Sequence, residues 1–253
     1  MIVRERQNEY IMIEQNHHAQ VSGQMAANLK DSFFLEDKFK SSVLYAIENH
    51  DYAWKMIDKQ PFWNDQKQQP YTFTDFPNPP KTVFYKHGID QVEKHDSYAA
   101  LLCSKHYTRF LVDDTEETSR SFVQEEQERQ QRLIHLLEDY DEPIFNVHSG
   151  LLQLFDSLSL YLCLNEPGVA KEDGHPFFKD GVPVPQSLTF FHTNKIHLYW
   201  TDEQSVEMDV VPFKSPVDIT IQQKSVPKKA IAENGLIKSY EQAEQETVSV
   251  QLL

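Results

Sequence analysis

The stretch SGLLQLFDSLSLYLCL, residues 149–164, carries apolar side chains on nearly every face of a helix. A helix that is apolar all round is typical of an element buried in the middle of a protein. We therefore predict a helix over about residues 147–164 at the centre of a helical bundle. Asp156 lies halfway along it, between Leu152 and Leu160 at helical spacing. A carboxylate in that position has to be paired, protonated or bound to a metal, because its desolvation costs several kcal/mol.

The segments before this helix are also predominantly helical. Apolar residues at a spacing of 3.6 and flanking helix breakers predict four further helices, over about residues 17–30, 38–50, 97–111 and 119–138. The second and third of these are separated by QPFWNDQKQQPYTFTDFPNPPK, residues 60–81, which contains five prolines and several aromatic residues. We interpret that segment as an ordered aromatic loop or a lid.

The sequence pattern changes after Glu166-Pro167-Gly168. Apolar and polar residues alternate in KIHLYWT (195–201), SVEMDVV (205–211) and PVDITIQ (216–222), which predicts antiparallel strands. The N-terminal runs MIV and YIMI predict a hairpin that joins this sheet. The expected fold class is α+β: a bundle of about five helices with a C-terminal antiparallel β cap joined by the N-terminal hairpin. We divide it into residues 1–166 and a cap, residues 167–253, that is not independent.

Composition narrows the function classes. The chain has 253 residues, 40% of them apolar, and a formal charge of -15. Nucleic acids and anionic membranes require a positive surface, so a small-molecule partner is expected instead. With no signal-like N-terminus and no stretch that approaches a membrane span, we expect a cytoplasmic protein. Cys103 and Cys163 lie in apolar helical runs and are expected to be reduced core residues.

Polar residues on the apolar faces of the predicted helices are the candidate functional residues. Three histidines have apolar neighbours three or four positions away: His18, His50 and His106. Asp51 follows His50 where its helix is expected to end. These positions and Asp156 converge if the bundle packs its apolar stripes together. Nitrogen and carboxylate ligands without thiolates suit iron, manganese or zinc, in a mononuclear or dinuclear centre.

Structural explanations compete with this one. A single inward histidine is more often a core residue with a hydrogen-bond partner than a metal ligand, and Asp156 could pair with Arg109. A second His-Asp pair, His95-Asp96, precedes the third helix, where Asp96 or Ser97 is a natural N-cap, so we give His95 no role. Five other histidines outside the inward pattern are expected at the surface: His135, His148, His175, His192 and His197.

The order His18, His50-Asp51, Asp156 resembles the H…HD…D pattern of the HD-domain superfamily of metal-dependent phosphohydrolases. His106 resembles the extra histidines with which some members bind a second metal. A closer resemblance, over most of the chain, is to an uncharacterised bacterial family, domain of unknown function 3891. It rests on IMIEQNHHAQVSGQMA (11–26), ENHDYAW (48–54), DSYAALLCSKHY (96–107) and LLQLFDSLSLYLCL (151–164).

The family's motifs match this chain with one difference. Members have His-Ala in the first motif, which matches His18-Ala19, and His-Asp-Asp-Gly-Trp in the second. Here Tyr52-Ala53 stands in place of Asp-Gly. If the family's second aspartate contributes to chemistry, this chain lacks that contribution. The family itself implies no activity.

The expected function is that of a metal-dependent hydrolase acting on a phosphorylated small molecule such as a phosphomonoester or nucleotide. The expected ligands of the divalent metal are His18, His50, Asp51, His106 and Asp156. Asp51 and His106 are also the candidate catalytic residues. Lys105, Arg109 and Trp54 are candidates for substrate binding. Two alternatives stay open: a non-heme iron oxidase with the same ligands, and a structural or binding protein without enzymatic activity.

Overall fold

The structure is a computed structural model that describes residues 1–34 and 38–253. It has an α+β fold of eight helices in the described residues and a curled six-stranded sheet, with apolar clusters on both faces of the sheet. The helices of the described part are α1 (Gln15–Ala26), α2 (Lys40–Asn49), α3 (Asn78–Glu93), α4 (Ser97–Leu111), α5 (Glu117–Leu136), α6 (Glu142–Leu164), α7 (Lys228–Asn234) and α8 (Leu236–Gln242).

The main sheet contains six strands in the order β1-β2-β9-β10-β8-β7. Their bounds are β1 (Ile2–Glu5), β2 (Glu9–Ile13), β7 (Leu198–Trp200), β8 (Ser205–Met208), β9 (Val217–Pro227) and β10 (Gln245–Leu252). Two small two-stranded sheets accompany it: β3 (Trp63–Asn64) with β4 (Gln69–Pro70), and β5 (Val182–Pro183) with β6 (Lys195–Ile196). In β9, buried Val217, Ile219 and Ile221 alternate with exposed residues, as the period of a half-buried strand requires.

The N-terminal hairpin joins the C-terminal strands, as predicted. β1 and β2 pair in antiparallel register from Ile2 opposite Ile13, and β2 pairs with β9. One strand pair departs from the expected antiparallel sheet, because β10 runs parallel to β8. Alternation identifies a strand and its buried face but not the direction of its neighbour, so the sequence could not indicate this pair.

The five predicted helices correspond to α1, α2, α4, α5 and α6, and the structure adds α3, α7 and α8. α3 begins at Asn78, inside the segment that we interpreted as a loop. Pro79 and Pro80 occupy its first turn, where the missing N–H groups have no helical partner to lose. The proline run therefore marks the start of a helix rather than only the end of a loop.

α6 is the central helix, in contact with α1, α2 and α4. It begins at Glu142, earlier than predicted, because the Asp141 side chain caps it by accepting a hydrogen bond from the Ile144 N–H.

We expected no stretch of membrane-spanning length. By length and composition, however, α6 could cross a bilayer, and within residues 1–34 and 38–253 it is the one helix that could. Since 61% of its most apolar window is buried inside the protein, it fits the core helix of a soluble protein.

A large apolar core joins helices α1 to α6 to the sheet, and a smaller cluster joins α8 to it through Tyr10 and Met12 of β2. The large core includes Val21 of α1, Leu158 of α6 and Ile219 of β9. Both cysteines belong to it as free thiols, as predicted, and burial raises the pKa of each. The sheet thus combines strands from both sides of the predicted boundary at residue 166, and that division stays a prediction.

Candidate metal centre

Four structural elements deliver the predicted ligands to one buried point. His18 lies in the second turn of α1, His50 at the C-terminal cap of α2 with Asp51 next to it, His106 in α4, and Asp156 in the middle of α6. All five side chains are buried, and those of His18 and His50 are fully buried. α6 packs against each of the three other helices, so the apolar stripes that carry these residues meet there.

The side chains form two overlapping clusters that could hold a metal ion. One contains His18, His50 and Asp51, and the other contains His50, His106 and Asp156. Within each cluster the potential ligand atoms lie no more than 4.8 Å from one another. That spacing fits donors around a single ion, because metal–nitrogen and metal–oxygen bonds of about 2 Å place ligand atoms about 3–4 Å apart.

Asp156 stands between the histidines. Its Oδ1 atom lies 3.1 Å from Nε2 of His18 and 3.5 Å from Nε2 of His50. Its Oδ2 atom faces the other way, 3.9 Å from Nε2 of His106 and 3.5 Å from Nη2 of Arg109. The carboxylate could therefore bind one ion through Oδ1 or bridge two ions through both oxygens. The pairing with Arg109 that we considered as an alternative occurs on the Oδ2 side only.

Backbone carbonyls orient two of the histidine rings. Nδ1 of His18 lies 2.8 Å from the carbonyl oxygen of Gln15, and Nδ1 of His50 lies 2.8 Å from that of Ile47. A carbonyl only accepts, so each Nδ1 carries a hydrogen and donates it. Nε2 of each ring then faces Asp156, while Nδ1 of His18 also lies 3.3 Å from Oδ2 of Asp51. A histidine that is fixed by a backbone carbonyl through one nitrogen and presents the other is typical of metal sites.

The electrostatics of the cluster favour positive charge at its centre. Burial lowers the pKa of His50, but the carboxylates of Asp51 and Asp156 outweigh it and raise that pKa to about 9. Burial also opposes ionisation of Asp156, yet the neighbouring histidines hold its pKa well below its usual range. His106 behaves differently, because burial lowers its pKa well below the usual value. The two carboxylates therefore attract a cation, and His106 offers a neutral ring.

Two buried ring nitrogens test whether the cluster fits a metal. Nε2 of His50 and Nδ1 of His106 have no hydrogen-bond partner in the part of the chain that the structure describes. An unsatisfied buried nitrogen costs roughly 1–3 kcal/mol, so such groups require an explanation. Nε2 of His50 points to the carboxylates, and a metal ion between them would satisfy it. The residues present thus fit a divalent ion with nitrogen and oxygen ligands.

The local backbone around Asp51 is held from two sides. α2 ends at Asn49, and a short 3-10 turn, Tyr52–Lys55, follows the His-Asp pair. Gly88 of α3 packs so closely on this turn that a Cβ atom at residue 88 would lie 2.6 Å from the backbone nitrogen of Ala53. On the other side, the Tyr107 hydroxyl donates a hydrogen bond of 3.4 Å to Oδ1 of Asp51.

A cavity of about 460 Å³ opens beside the centre, within the size range of small-molecule sites. The ligands that reach its wall are Asp51, His106 and Asp156. Of the predicted substrate-binding residues, Trp54 and Arg109 line it, whereas Lys105 is exposed on α4 and is not among the lining residues.

Sequence reasoning missed a further lining residue, Lys81. It belongs to the buried stripe of α3 with Tyr85, Ile89 and Val92. A polar residue on the apolar face of a helix is the pattern that identified the candidate histidines. It could not identify Lys81, because no helix was predicted over the residues of α3.

The other histidines divide into surface and structural groups. His135 and His192 are exposed, and His175 and His197 are half-buried. His148, expected at the surface, is buried instead, with its Nδ1 atom 2.7 Å from the Tyr98 hydroxyl.

Two residues next to candidate positions also have structural roles. One is adjacent to His18, and the other precedes α4. His17, outside the apolar stripe, accepts a hydrogen bond of 2.8 Å at Nε2 from the backbone N–H of Gln222 and so ties α1 to β9. Asp96 is the N-cap of α4, as predicted, and accepts from the Ala99 N–H.

Comparison with known proteins gives a family but no activity. No curated protein and no solved structure matches the chain. One family model, described as a protein of unknown function (DUF3891), matches residues 1–228 of the 253. That match covers every candidate ligand and most of the sheet, and it agrees with the resemblance of the four motif segments. The chain therefore belongs to the DUF3891 family of proteins of unknown function.

Proposed function

We propose that this protein is a metal-dependent hydrolase of a phosphorylated small molecule. The observation that carries the proposal is the convergence of three histidines and two aspartates, all buried, beside a cavity whose wall Asp51, His106 and Asp156 reach. Buried carboxylates and histidines without full hydrogen bonding are costly in a structural core. A centre that binds a cation gives these side chains a common explanation.

We assign the primary ion to His18, His50, Asp51 and Asp156, in the order of the H…HD…D pattern of HD-domain phosphohydrolases. His106 and Oδ2 of Asp156 could bind a second metal ion. A divalent ion supplies two things at such a site: it lowers the pKa of bound water and it polarises a phosphoryl oxygen. We place this activity in the cytoplasm, because the two cysteines are free and buried, as suits a reducing compartment.

The chain's own groups have separate tasks in this proposal. Asp51 lies at the cavity wall, where it can accept a proton from the attacking water while Tyr107 fixes its Oδ1 atom. His106, also at the wall, lies where its neutral ring can position the leaving oxygen by a hydrogen bond. Water forms the new P–O bond and the ester P–O bond breaks. The products are inorganic phosphate and a hydroxyl compound, and no oxidant or reductant is required.

The other two functions from the sequence remain distinguishable from this one. Two histidines and a carboxylate also suit an iron centre that activates oxygen. That oxidase would hold iron, consume oxygen and leave phosphate esters intact. A purely structural protein would hold no metal at all, and its stability would be insensitive to chelators.

The test is elemental analysis of protein purified without a chelator or a histidine-rich tag, beside the double variant His50→Ala, Asp51→Ala. The matched control is His95→Ala, Asp96→Ser, which changes the other His-Asp pair while serine preserves the cap of α4. We expect one or two equivalents of iron, manganese or zinc in the wild type and the control, with metal lost in the His50/Asp51 variant.

Phosphate release from a panel of phosphomonoesters and nucleotides then tests the reaction. Metal-free wild-type protein that takes up neither Mn²⁺ nor Fe²⁺ would refute both the hydrolase and the oxidase. Metal-loaded protein that releases no phosphate from the panel but consumes oxygen would favour the oxidase.

A further inference from the structure

Lys81 is a mostly buried residue whose ammonium group reaches the cavity and has no partner among the residues that the structure describes. Its side chain is 8% exposed and lines the cavity beside the candidate metal centre. Across residues 1–34 and 38–253, its ammonium group makes no hydrogen bond and no ion pair. A buried charge is unfavourable unless an opposite charge or hydrogen-bond acceptors compensate it. An anionic ligand in the cavity would compensate this charge more strongly than water does.

Asp75 does not supply that compensation. It is the one carboxylate whose charge acts noticeably on Lys81, where burial lowers the pKa and Asp75 partly opposes the shift. The Asp75 side chain is already bound elsewhere: Oδ2 accepts from Lys67 at 2.9 Å, and Oδ1 accepts from the Thr72 N–H at 2.7 Å and the Thr72 hydroxyl at 2.9 Å. Its role is to close the loop before α3, which leaves the Lys81 ammonium free to meet a ligand.

A second cation lines the same cavity. Nη2 of Arg109 touches Oδ2 of Asp156 at 3.5 Å, and its guanidinium lies over the Phe110 ring, 4.6 Å from the centroid. A guanidinium offers five N–H donors, so its other donors remain for an anion. Lys81 on α3 and Arg109 on α4 therefore bring positive charge to the wall that also carries Asp51, His106 and Asp156.

The rest of the cavity wall is rich in aromatic rings. Those that line it are Trp54, Phe73, Tyr85, Phe110 and Phe177. Phe177 is 56% exposed, which places its ring at the solvent side of the cavity. Aromatic faces bind planar groups by stacking or edge-to-face contact. Charge and aromatic surface together describe a ligand with an anionic end and a planar end.

We propose that Lys81, together with Arg109, binds the phosphate of an aromatic phosphomonoester, meaning an aryl or nucleoside monophosphate, whose planar group contacts the aromatic wall. This inference rests on the proposed hydrolase for the reaction that follows binding. It adds the substrate class and a binding residue that lies on none of the four motif segments. The competing explanation is that the Lys81 stem merely packs in the wall while its ammonium reaches water.

Calorimetric titration with two phosphonates tests binding without turnover, because their P–C bond is not an ester. Phenylphosphonate carries a planar group and methylphosphonate does not. We expect wild-type, metal-loaded protein to bind phenylphosphonate more tightly than methylphosphonate. Lys81→Gln should weaken both ligands roughly tenfold or more, as expected for a lost charge-assisted hydrogen bond, while metal content stays unchanged. Lys86→Gln is the matched control, because Lys86 lies on α3 but is exposed, lies outside the cavity lining and pairs with Glu125 at 3.4 Å.

Two further variants keep the test decisive if Lys81→Gln does not fold. Lys81→Arg retains the charge and should retain phosphonate binding. Phe177→Ala removes an exposed ring, so the fold should persist, and it should weaken phenylphosphonate while leaving methylphosphonate unchanged. Equal binding of the two phosphonates would refute the planar part of the proposal.

The outcomes separate this inference from the proposed function. Unchanged affinity in Lys81→Gln, with metal bound and phosphate esters hydrolysed, would overturn the role of Lys81 and leave the hydrolase intact. Lys81-dependent phosphonate binding to protein that holds no metal would support the anion site and refute the hydrolase. No binding of either phosphonate to metal-loaded wild-type protein at millimolar concentration would overturn the inference.

Discussion

Adding one methyl group at Gly88 is expected to disturb the metal centre from outside it. A Cβ atom there would lie 2.6 Å from the backbone nitrogen of Ala53, 2.7 Å from its Cα atom and 2.8 Å from its Cβ atom. Optimal contacts between such atoms are about 3.5–4.0 Å, so α3 and the 3-10 turn would have to separate by roughly 1 Å. Two of the three contacts are with backbone, which cannot rotate away.

The magnitude follows from two opposing effects of Gly88→Ala. Overpacking a closely packed interface costs typically about 1–3 kcal/mol, and a backbone contact favours the upper end of that range. Alanine in the middle of a helix returns about 1 kcal/mol relative to glycine. We expect a net loss of about 2 kcal/mol in the free energy of unfolding, which lowers Tm by roughly 4–8 °C in a domain of this size. Since Ala53 is two residues from Asp51, the same displacement should weaken metal binding.

The assay is thermal unfolding of Gly88→Ala with and without added Mn²⁺, together with its metal content. Gly174→Ala is the control, because its Cβ atom would meet nothing closer than 3.3 Å. The double variant Ala53→Gly, Gly88→Ala removes the Cβ atom of residue 53 and with it one of the three contacts. It should therefore recover only part of the lost stability. A Gly88→Ala protein that is as stable and as metal-loaded as the wild type would refute the close approach of α3 to the turn.

Three other predictions concern the cluster and its neighbours. Asp156→Asn keeps the shape of the side chain but removes its charge, so metal affinity should fall by at least about a hundredfold and added Mn²⁺ should no longer raise Tm. His17→Ala should cost about 0.5–1.5 kcal/mol of stability, because it removes the hydrogen bond that the Gln222 N–H donates to Nε2 of His17, but metal content should not change, in contrast with His18→Ala. Because the pKa of His50 is about 9, this ring carries a second proton below that pH in the metal-free protein, and a metal ion has to displace it. The apparent metal affinity should therefore rise with pH up to about 9. Calorimetry at pH 7 in buffers of different ionisation enthalpy should detect the released proton.

The sequence alone predicted which face of each helix carries the candidate ligands. His18, His50 and His106 each share a face with apolar residues three or four positions away, and a helix must bury that face. Phase does not give distances, however. The separation of 3.1 Å between His18 and Asp156 depends on how α1 crosses α6, which is set by the packing of the two helix surfaces rather than by either segment alone.

Two omissions have one physical origin, an incorrect helix start. Prolines before Lys81 suggested a loop, although proline suits the first turn of a helix, so the stripe that contains Lys81 was not recognised. A predicted start at residue 147 left His148 near a helix end. Once α6 begins at Glu142, His148 lies three residues after Phe145 and three before Leu151, on a buried face. The parallel pair β8–β10 is a different case, because it depends on contacts between segments that are distant in the sequence.

The formal charge of -15 opposes an anionic substrate only if it extends into the cavity. In the proposed centre, the carboxylates of Asp51 and Asp156 match the two charges of a divalent ion, and neutral histidines add none. Arg109 and Lys81 then leave the cavity wall with an excess of positive charge. Because this charge is partly buried, it acts at short range with little screening, whereas surface charges more than about 8 Å away are largely screened at physiological ionic strength. An acidic protein can therefore bind a phosphate ester, provided that a metal ion first neutralises the two buried aspartates.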